Sequence, residues 1–120
     1  MKYTPPPYTR IPGPYLVLCA GTQNKTSLPH LDAVFYALGN YNRRKLFEIL
    51  CHNEHQISDL MEITGGDYQA IRTHLITLEA YGLITSFKDG KERLHHANLN
   101  ALQNLVIWSN MMAELLHNLN

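Results

Sequence analysis

Several features are scarce in this chain of 120 residues. It has only two cysteines, Cys19 and Cys51, which are too few for a disulfide scaffold and favour a reducing compartment. Ten Lys and Arg balance ten Asp and Glu, which argues against a polybasic tail for nonspecific nucleic-acid binding but not against a local basic patch. No apolar run approaches the ~20 residues of a membrane helix, so no membrane segment is predicted. The length fits one compact domain.

Proline is absent after Pro29, and this absence divides the chain in two. Proline fixes φ and favours extended geometry before it. We therefore predict an N-terminal arm, residues 1–28, rich in proline and tyrosine, and a domain of residues 29–120. The arm either lies across an apolar surface or is a free tail. Pro12 and Pro14 interrupt its apolar run too early for a secretory signal, so we expect a cytoplasmic protein.

Leucine-rich spacing after the last proline predicts helices. Apolar residues at i, i+3, i+4 and i+7 from Leu31 indicate a first amphipathic helix, which ends at Gly39. Asn40 or Asn42 is expected to cap a second helix, because a short polar side chain can accept from the free N–H groups of a first turn.

A short helix, a tight turn and a longer helix follow. Ser58 is predicted to cap the short helix, and Gly65-Gly66 to end it. Asp67 is predicted to cap the longer helix, over residues 68–81. Its buried stripe is expected to be Ile71, Leu75 and Leu78.

The dipeptide Asp89-Gly90 between two extended runs predicts a β-hairpin with these two residues as its turn. This register places Lys88 opposite Lys91, where like charges repel. The repulsion is understandable if a phosphate lies between them; the other interpretation is a solvated hairpin tip. Because side chains alternate along a strand, one face of the hairpin carries Ser86, Lys88, Lys91 and Arg93.

A long closing helix is predicted from about Asn98. It is apolar on more than one side, which in a small domain implies a partner subunit. A short helix, a turn, a longer helix and a hairpin form a winged helix-turn-helix. We therefore predict a mainly α (α+β) fold: a winged helix-turn-helix with a two-stranded wing and a long C-terminal dimerisation helix.

These segments resemble the arsenic-repressor-type (ArsR) family of winged helix-turn-helix proteins. The resemblance covers about residues 31–116, and residues 1–28 have no counterpart. The family consists of dimeric transcription regulators, which implies that this chain is a homodimer that binds double-stranded DNA. The matching stretches are 37–46, Ile57-Ser58-Asp59-Leu60, Ala70-Ile71-Arg72-Thr73-His74-Leu75, 78–84 and the wing segment Lys88-Asp89-Gly90-Lys91.

The second helix of the motif is expected to enter the major groove. Arg can donate to guanine, Gln to adenine, and Thr can meet a thymine methyl; the other interpretation is a solvated helix face. Arg43 and the wing cations are expected to contact phosphate or to be solvated. The candidate DNA-binding residues are therefore Tyr68, Gln69, Arg72, Thr73, Lys88, Lys91, Arg93 and Arg43.

The first and last helices are expected to form the dimer interface. Two-fold symmetry of the protein then predicts a palindromic operator. The candidate interface residues are Leu31, Phe35, Leu102, Leu105, Trp108, Met112 and Leu116.

No metal, cofactor or enzymatic activity is expected. Where some family members carry Cys-x-Cys, this chain has Gln56-Ile57-Ser58, and residues 98–120 contain one His and one acid, His117 and Glu114. Neither metal-binding pattern of the family is therefore present. The sequence has no nucleophile–base–orienter pattern and no phosphate-binding loop.

One alternative is a winged-helix module that binds protein and not a specific DNA sequence. Residues 43–93 contain seven Lys or Arg and eight Asp or Glu, whereas DNA readers usually have a clearer basic surface. A continuous positive stripe from Arg72 to the wing would favour DNA, and a mixed surface would favour the module.

Overall fold

Five α-helices and a two-stranded antiparallel sheet make up residues 31–119, the part of the chain that the computed structural model describes. The predicted arm, its boundary at residue 28 and Cys19 lie outside this range. A 3₁₀ turn, Leu99–Leu102, precedes the last helix. The helices are α1 (Leu31–Leu38), α2 (Tyr41–His52), α3 (Ile57–Thr64), α4 (Tyr68–Ala80) and α5 (Gln103–Asn118), and the strands are β1 (Ile84–Asp89) and β2 (Glu92–Ala97).

Side-chain caps begin α2 and α4 where the sequence predicts them. Asn40 Oδ1 accepts from the Arg43 N–H at 3.1 Å, and Asp67 Oδ1 accepts from the Ala70 N–H at 2.9 Å. Each bond satisfies a backbone donor that has no partner within the helix. The predicted starts of both helices are confirmed.

The start of α3 differs from the prediction. Ser58 lies inside the first turn, and Gln56 is the N-cap residue. The Asp59 carboxylate accepts from the Gln56 N–H at 3.1 Å, so an acid at the third helical position stabilises the cap. The end of α3 is as predicted: Gly65 adopts a φ of 75°, a left-handed conformation that favours glycine, and starts the turn into α4.

One apolar core holds the four helices α1, α2, α3 and α4 together with the base of the wing. The predicted stripe of α4 is confirmed, because each of its three residues is at most 4% exposed. The buried apolar residues are Val34, Ala37, Leu46, Phe47, Leu50, Leu60, Ile71, Leu75, Leu78, Leu83 and Ile84. The helix-turn-helix and the wing are thus held by the same core.

The hairpin forms in a register different from the predicted one. Asp89 pairs with Glu92 and Lys88 with Arg93, so Gly90 and Lys91 form the two-residue turn. Gly90 has a φ of 66°, and both primed hairpin turns need a positive φ at their first central position. The predicted opposition of two lysines is therefore wrong. Because the register shifts by two residues, each side chain stays on the face of the hairpin that the sequence predicts for it.

Arg43 has a role inside the domain that the sequence did not predict. Its side chain is 7% exposed and stacks at 5.2 Å over the Tyr36 ring. Nε donates to the Ala37 carbonyl at 2.7 Å, and Nη2 donates to the Tyr36 carbonyl at 3.0 Å. These carbonyls end α1, where a cation is favourable. The sequence predicts either a phosphate contact or solvation for Arg43, whereas the structure holds its guanidinium within the domain.

Arg43→Ala should lower the free energy of unfolding by about 2–3 kcal/mol, because two buried carbonyls would lose a charged donor. Urea unfolding followed by circular dichroism measures the change. The exposed neighbour Lys45 provides the control, and Lys45→Ala should change the value by less than about 0.5 kcal/mol. Equal effects of the two substitutions would contradict this role of Arg43.

Candidate nucleic-acid interface

The outer face of α4 is polar and lies opposite its buried stripe. Tyr68, Gln69 and Arg72 are exposed on it, and Thr73 is half-buried. One helical turn separates Tyr68 from Arg72 and Gln69 from Thr73, so the four side chains share a face. Tyr68 begins the helix, directly after the Asp67 cap. All four predicted residues of α4 are therefore positioned away from the core.

A groove of about 960 Å³ lies between α3, α4 and the wing. Tyr68 and Arg72 line it from α4, and Lys91 and Arg93 line it from the hairpin. The structure thus brings four predicted residues from two distant parts of the sequence to one concave surface. The other predicted DNA-binding residues do not line it: Gln69, Thr73, Lys88 and Arg43.

The charge of this groove is mixed. Glu79 of α4 and Glu92 of the hairpin line it together with the three cations. A continuous positive stripe from Arg72 to the wing is therefore not observed. The acids lie toward the C-terminal end of α4 and at the turn, whereas Arg72 belongs to the N-terminal half of the helix.

The position of Arg93 on the wing is fixed by a neighbouring strand. Its Nη1 donates to the Ser86 hydroxyl at 3.0 Å. Lys88 is the cross-strand partner of Arg93, and Lys91 is exposed in the turn. The wing therefore carries three cations near its tip, one of which has a defined side-chain partner.

The base of the wing is tied to the segment before α3. The His55 N–H donates to the His95 carbonyl at 3.1 Å, and the His95 N–H donates to the His55 carbonyl at 2.9 Å. This isolated bridge lies on the edge of β2 that faces away from β1. It fixes the start of α3 relative to the wing, and both line the groove.

Two imidazoles have a buried Nδ1 without a partner among residues 31–119: His74 of α4, and His95 of β2, which also lines the groove. Burial lowers the pKa of both, because the charged form loses solvation. The nearby Arg43 adds to the lowering of the pKa of His74. Arg93 also lowers the pKa of His95, and Glu79 opposes that shift.

A second surface, on α1 and α5, is apolar. Phe35 and Trp108 meet edge to face with ring centroids 5.2 Å apart, and each is more than one third exposed. Leu102 and Leu105 are partly buried against the domain's own core. The other predicted interface residues are Leu31 and Met112, which are half-buried, and Leu116, which is 64% exposed.

Several residues of these surfaces are not among the predicted ones. Ile76 and Glu79 lie one and two turns after Arg72 on the outer face of α4, and both line the groove. The i, i+4, i+7 spacing from Arg72 was the available signal. On α5, Met111 and Leu115 are at least half exposed and extend the apolar surface.

Within residues 31–119, no three His, Cys, Asp or Glu side chains come together in a way that could hold a metal ion. None of the helices in this range combines the length and apolar character that a membrane crossing requires.

The arrangement of α3, α4 and the wing defines a winged helix-turn-helix protein. Known proteins are similar to it in sequence and in fold. No family model matches the chain. It is 40% identical over 82 residues to YuzN of Bacillus subtilis, an uncharacterized helix-turn-helix-type transcriptional regulator. The match spans 62% of this chain and 89% of YuzN.

Solved structures agree. An ArsR-like transcriptional regulator from Rhodococcus sp. RHA1 is 29% identical with a TM-score of 0.65, over 82% of this chain and 90% of that one. A homodimeric winged helix-turn-helix DNA-binding domain from Mycobacterium bovis has a TM-score of 0.60 over 80% of this chain and 85% of its own, at 16% identity, and shows the shared fold. This chain belongs to the ArsR-type family of winged helix-turn-helix transcriptional regulators, a family without enzymatic activity.

Acid should destabilise the domain through His74 and His95. Their pKa values are lowered in the folded state, so the unfolded chain takes up protons first as the pH falls through about 6.5. The unfolding free energy should therefore decrease below that pH, by at most about 1.4 kcal/mol per pH unit for each histidine.

Urea unfolding at about pH 7.5, 6.5 and 5.5 measures how the unfolding free energy depends on pH. His95→Gln should make this dependence shallower, since one titrating group is removed while the carboxylates are unchanged. An equally steep decrease in the variant would show that His95 is not a source of the effect.

Proposed function

We propose that this chain is a cytoplasmic, homodimeric transcriptional regulator that binds a palindromic DNA operator. In this proposal α4 enters the major groove and the wing contacts the sugar–phosphate backbone. The observation that carries it is the groove lined by Tyr68 and Arg72 of α4 and by Lys91 and Arg93 of the wing, in a chain of this family. Two such surfaces in a symmetric dimer would contact two half-sites.

The chemistry of the outer face of α4 supports base reading. Arg72 is exposed at the fifth position of the helix, and the first turns of a recognition helix are the ones that reach base edges. Its guanidinium can donate two hydrogen bonds to guanine. Gln69 can pair with adenine and Thr73 can meet a thymine methyl.

The wing supports backbone contact. Lys88 and Lys91 are exposed at its tip, and each can neutralise a phosphate without reading sequence. The hydrogen bond from Arg93 to Ser86 restricts the arginine before DNA arrives, so less rotamer entropy is lost on binding. Arg43 is not part of the proposed interface, because its guanidinium is held in the core.

The apolar surface of α5 supports a homodimer. Residues at alternating spacings of three and four form a seam of the kind that pairs helices. They are Leu105, Trp108, Met112, Leu115 and Leu119. Leu115 is 59% exposed and Leu119 is 83% exposed, although both are apolar. A second copy that packs on this seam and on Phe35 would remove this area from water.

Leu115→Asp should weaken the dimer, because it places a carboxylate in the proposed seam without touching the core of one subunit. Sedimentation equilibrium at micromolar protein measures the association. Val106→Asp is the matched control: Val106 is 51% exposed on another side of α5, and its replacement should leave the dimer intact. A monomeric wild-type protein would remove the homodimer from the proposal.

Arg72→Ala and Lys91→Ala should weaken DNA binding in different ways. Loss of Arg72 should cost ~1–3 kcal/mol and relax the preference at one base pair in each half-site. Loss of Lys91 should weaken binding to all sequences alike and reduce the salt slope by about one. The measurement uses duplexes selected from a random pool, with scrambled duplexes beside them, at several salt concentrations.

Two results would contradict the proposal. If both variants lose affinity equally on selected and scrambled duplexes, Arg72 does not read a base. If the wild type binds neither duplex at low salt, the protein-interaction module is the better interpretation. The mixed charge of the groove, in which Glu79 and Glu92 accompany the cations, is the observation that favours this second candidate.

A further inference from the structure

The groove contains an exposed isoleucine, Ile76, that has no role in the proposed function. Ile76 is 42% exposed in the middle of the outer face of α4. It lines the groove together with Arg72, Ser86 and Arg93. Polar side chains flank it on the helix surface one turn away, at Arg72, Thr73 and Glu79, while Ala80 and the α3 residues Ile57 and Met61 line the groove nearby. Ile76 is therefore an exposed branched aliphatic side chain beside the polar positions of the outer face.

The helix geometry relates Ile76 to Arg72. Four residues correspond to about 6 Å along the helix axis, and the angular difference between the two positions is about 40°. Successive base pairs are about 3.4 Å apart. If Arg72 contacts a base pair, Ile76 is therefore displaced by about two base-pair steps along the same groove.

The major groove offers one chemical group that matches such a side chain. Its base edges carry hydrogen-bond donors and acceptors, and the exception is the C5-methyl group of thymine. A branched aliphatic side chain packs favourably against a methyl group. Against a base-edge donor or acceptor it would instead leave that polar group without a hydrogen bond. Ile is also stiff at χ1 in a helix, so ordering it on binding costs little entropy.

A copy of the same chain is not the occupant that this position favours. The apolar surface suited to self-association lies on α1 and α5, around Phe35 and Trp108. Ile76 lies on α4, between the helix and the wing. Three cations, Arg72, Lys91 and Arg93, outnumber the acids Glu79 and Glu92 in the same groove, which suits a polyanion with embedded methyl groups.

We propose that Ile76 is a specificity-determining residue that reads the C5-methyl group of a thymine about two base pairs from the pair contacted by Arg72. This inference rests on the proposed function. It adds a preference for thymine over cytosine, and over uracil, at one position of each half-site.

The test combines a protein change with the removal of a single methyl group from DNA. A duplex selected by the wild type is prepared with each thymine of a half-site replaced in turn by uracil. Wild-type affinity should fall about fourfold at the position that Ile76 contacts, the factor expected for one buried methyl group, apart from any response at a thymine met by Thr73. Ile76→Ala should bind the unmodified duplex at least about fourfold more weakly and should not respond to uracil at that position.

Ile63→Ala is the matched control. Ile63 is an isoleucine of α3, 53% exposed, that does not line the groove. This variant should bind as the wild type does and keep the full response to uracil. Circular dichroism of both variants verifies that each is folded.

The outcomes separate the two proposals. If the wild type binds a selected duplex and Ile76→Ala keeps every uracil response, Ile76 does not read thymine while the regulator function stands. Unchanged affinity of Ile76→Ala also overturns the inference. If the wild type selects no duplex, the proposed function fails and the inference fails with it.

Discussion

The hydrogen bonds of the Arg43 guanidinium are the interaction on which the arrangement of the groove and the apolar surface depends. From the first turn of α2 the guanidinium holds the carbonyls of Tyr36 and Ala37, near the end of α1. The α1 helix in turn contacts α5 through Phe35 and Trp108. Arg43 is also close enough to His74 of α4 to lower the pKa of that imidazole. One buried cation therefore lies between the helix that carries part of the apolar surface, α1, and the helix that forms one wall of the groove, α4.

The second constraint is the position of β2 between two backbone partners. It pairs with β1 along the hairpin and with His55 at His95, within the strand. His55 directly precedes the cap of α3, so the wing cannot shift far without straining the start of the helix-turn-helix. The walls of the groove are therefore connected by main-chain hydrogen bonds. A surface made of distant segments gains its geometry from this connection.

Much of the fold could be predicted because its signals are local. The caps Asn40 and Asp67 and the stripe of α4 depend on spacing within one helix, and the structure confirms them. The hairpin was predictable, but its register was not, because Asp89-Gly90 and Gly90-Lys91 are both acceptable turn pairs. Ser58 was predicted as a cap since the sequence does not reveal that the acid at Asp59 stabilises an earlier start.

The candidate site was predictable only in part. The face of α4 follows from helical spacing, and the structure places its four predicted residues on the outside. Arg43 could not be distinguished from a surface cation, because its partners are the carbonyls at the end of another helix. The meeting of Arg72 with the wing, and the presence of Glu79 and Glu92 beside it, are tertiary facts. No pattern along the chain encodes them.

The closing helix has a consequence for how the protein responds to its own amount. No residue of α5 is buried within the subunit. An isolated helix of this length is marginal in water, so most of its order must come from packing. In the proposed homodimer, assembly and ordering of α5 are linked by mass action, as in proteins whose subunits are not stable alone. At low concentration the α4 helices would exist singly, and above a threshold they would act in pairs, which converts a gradual change in protein level into a steeper change in DNA occupancy.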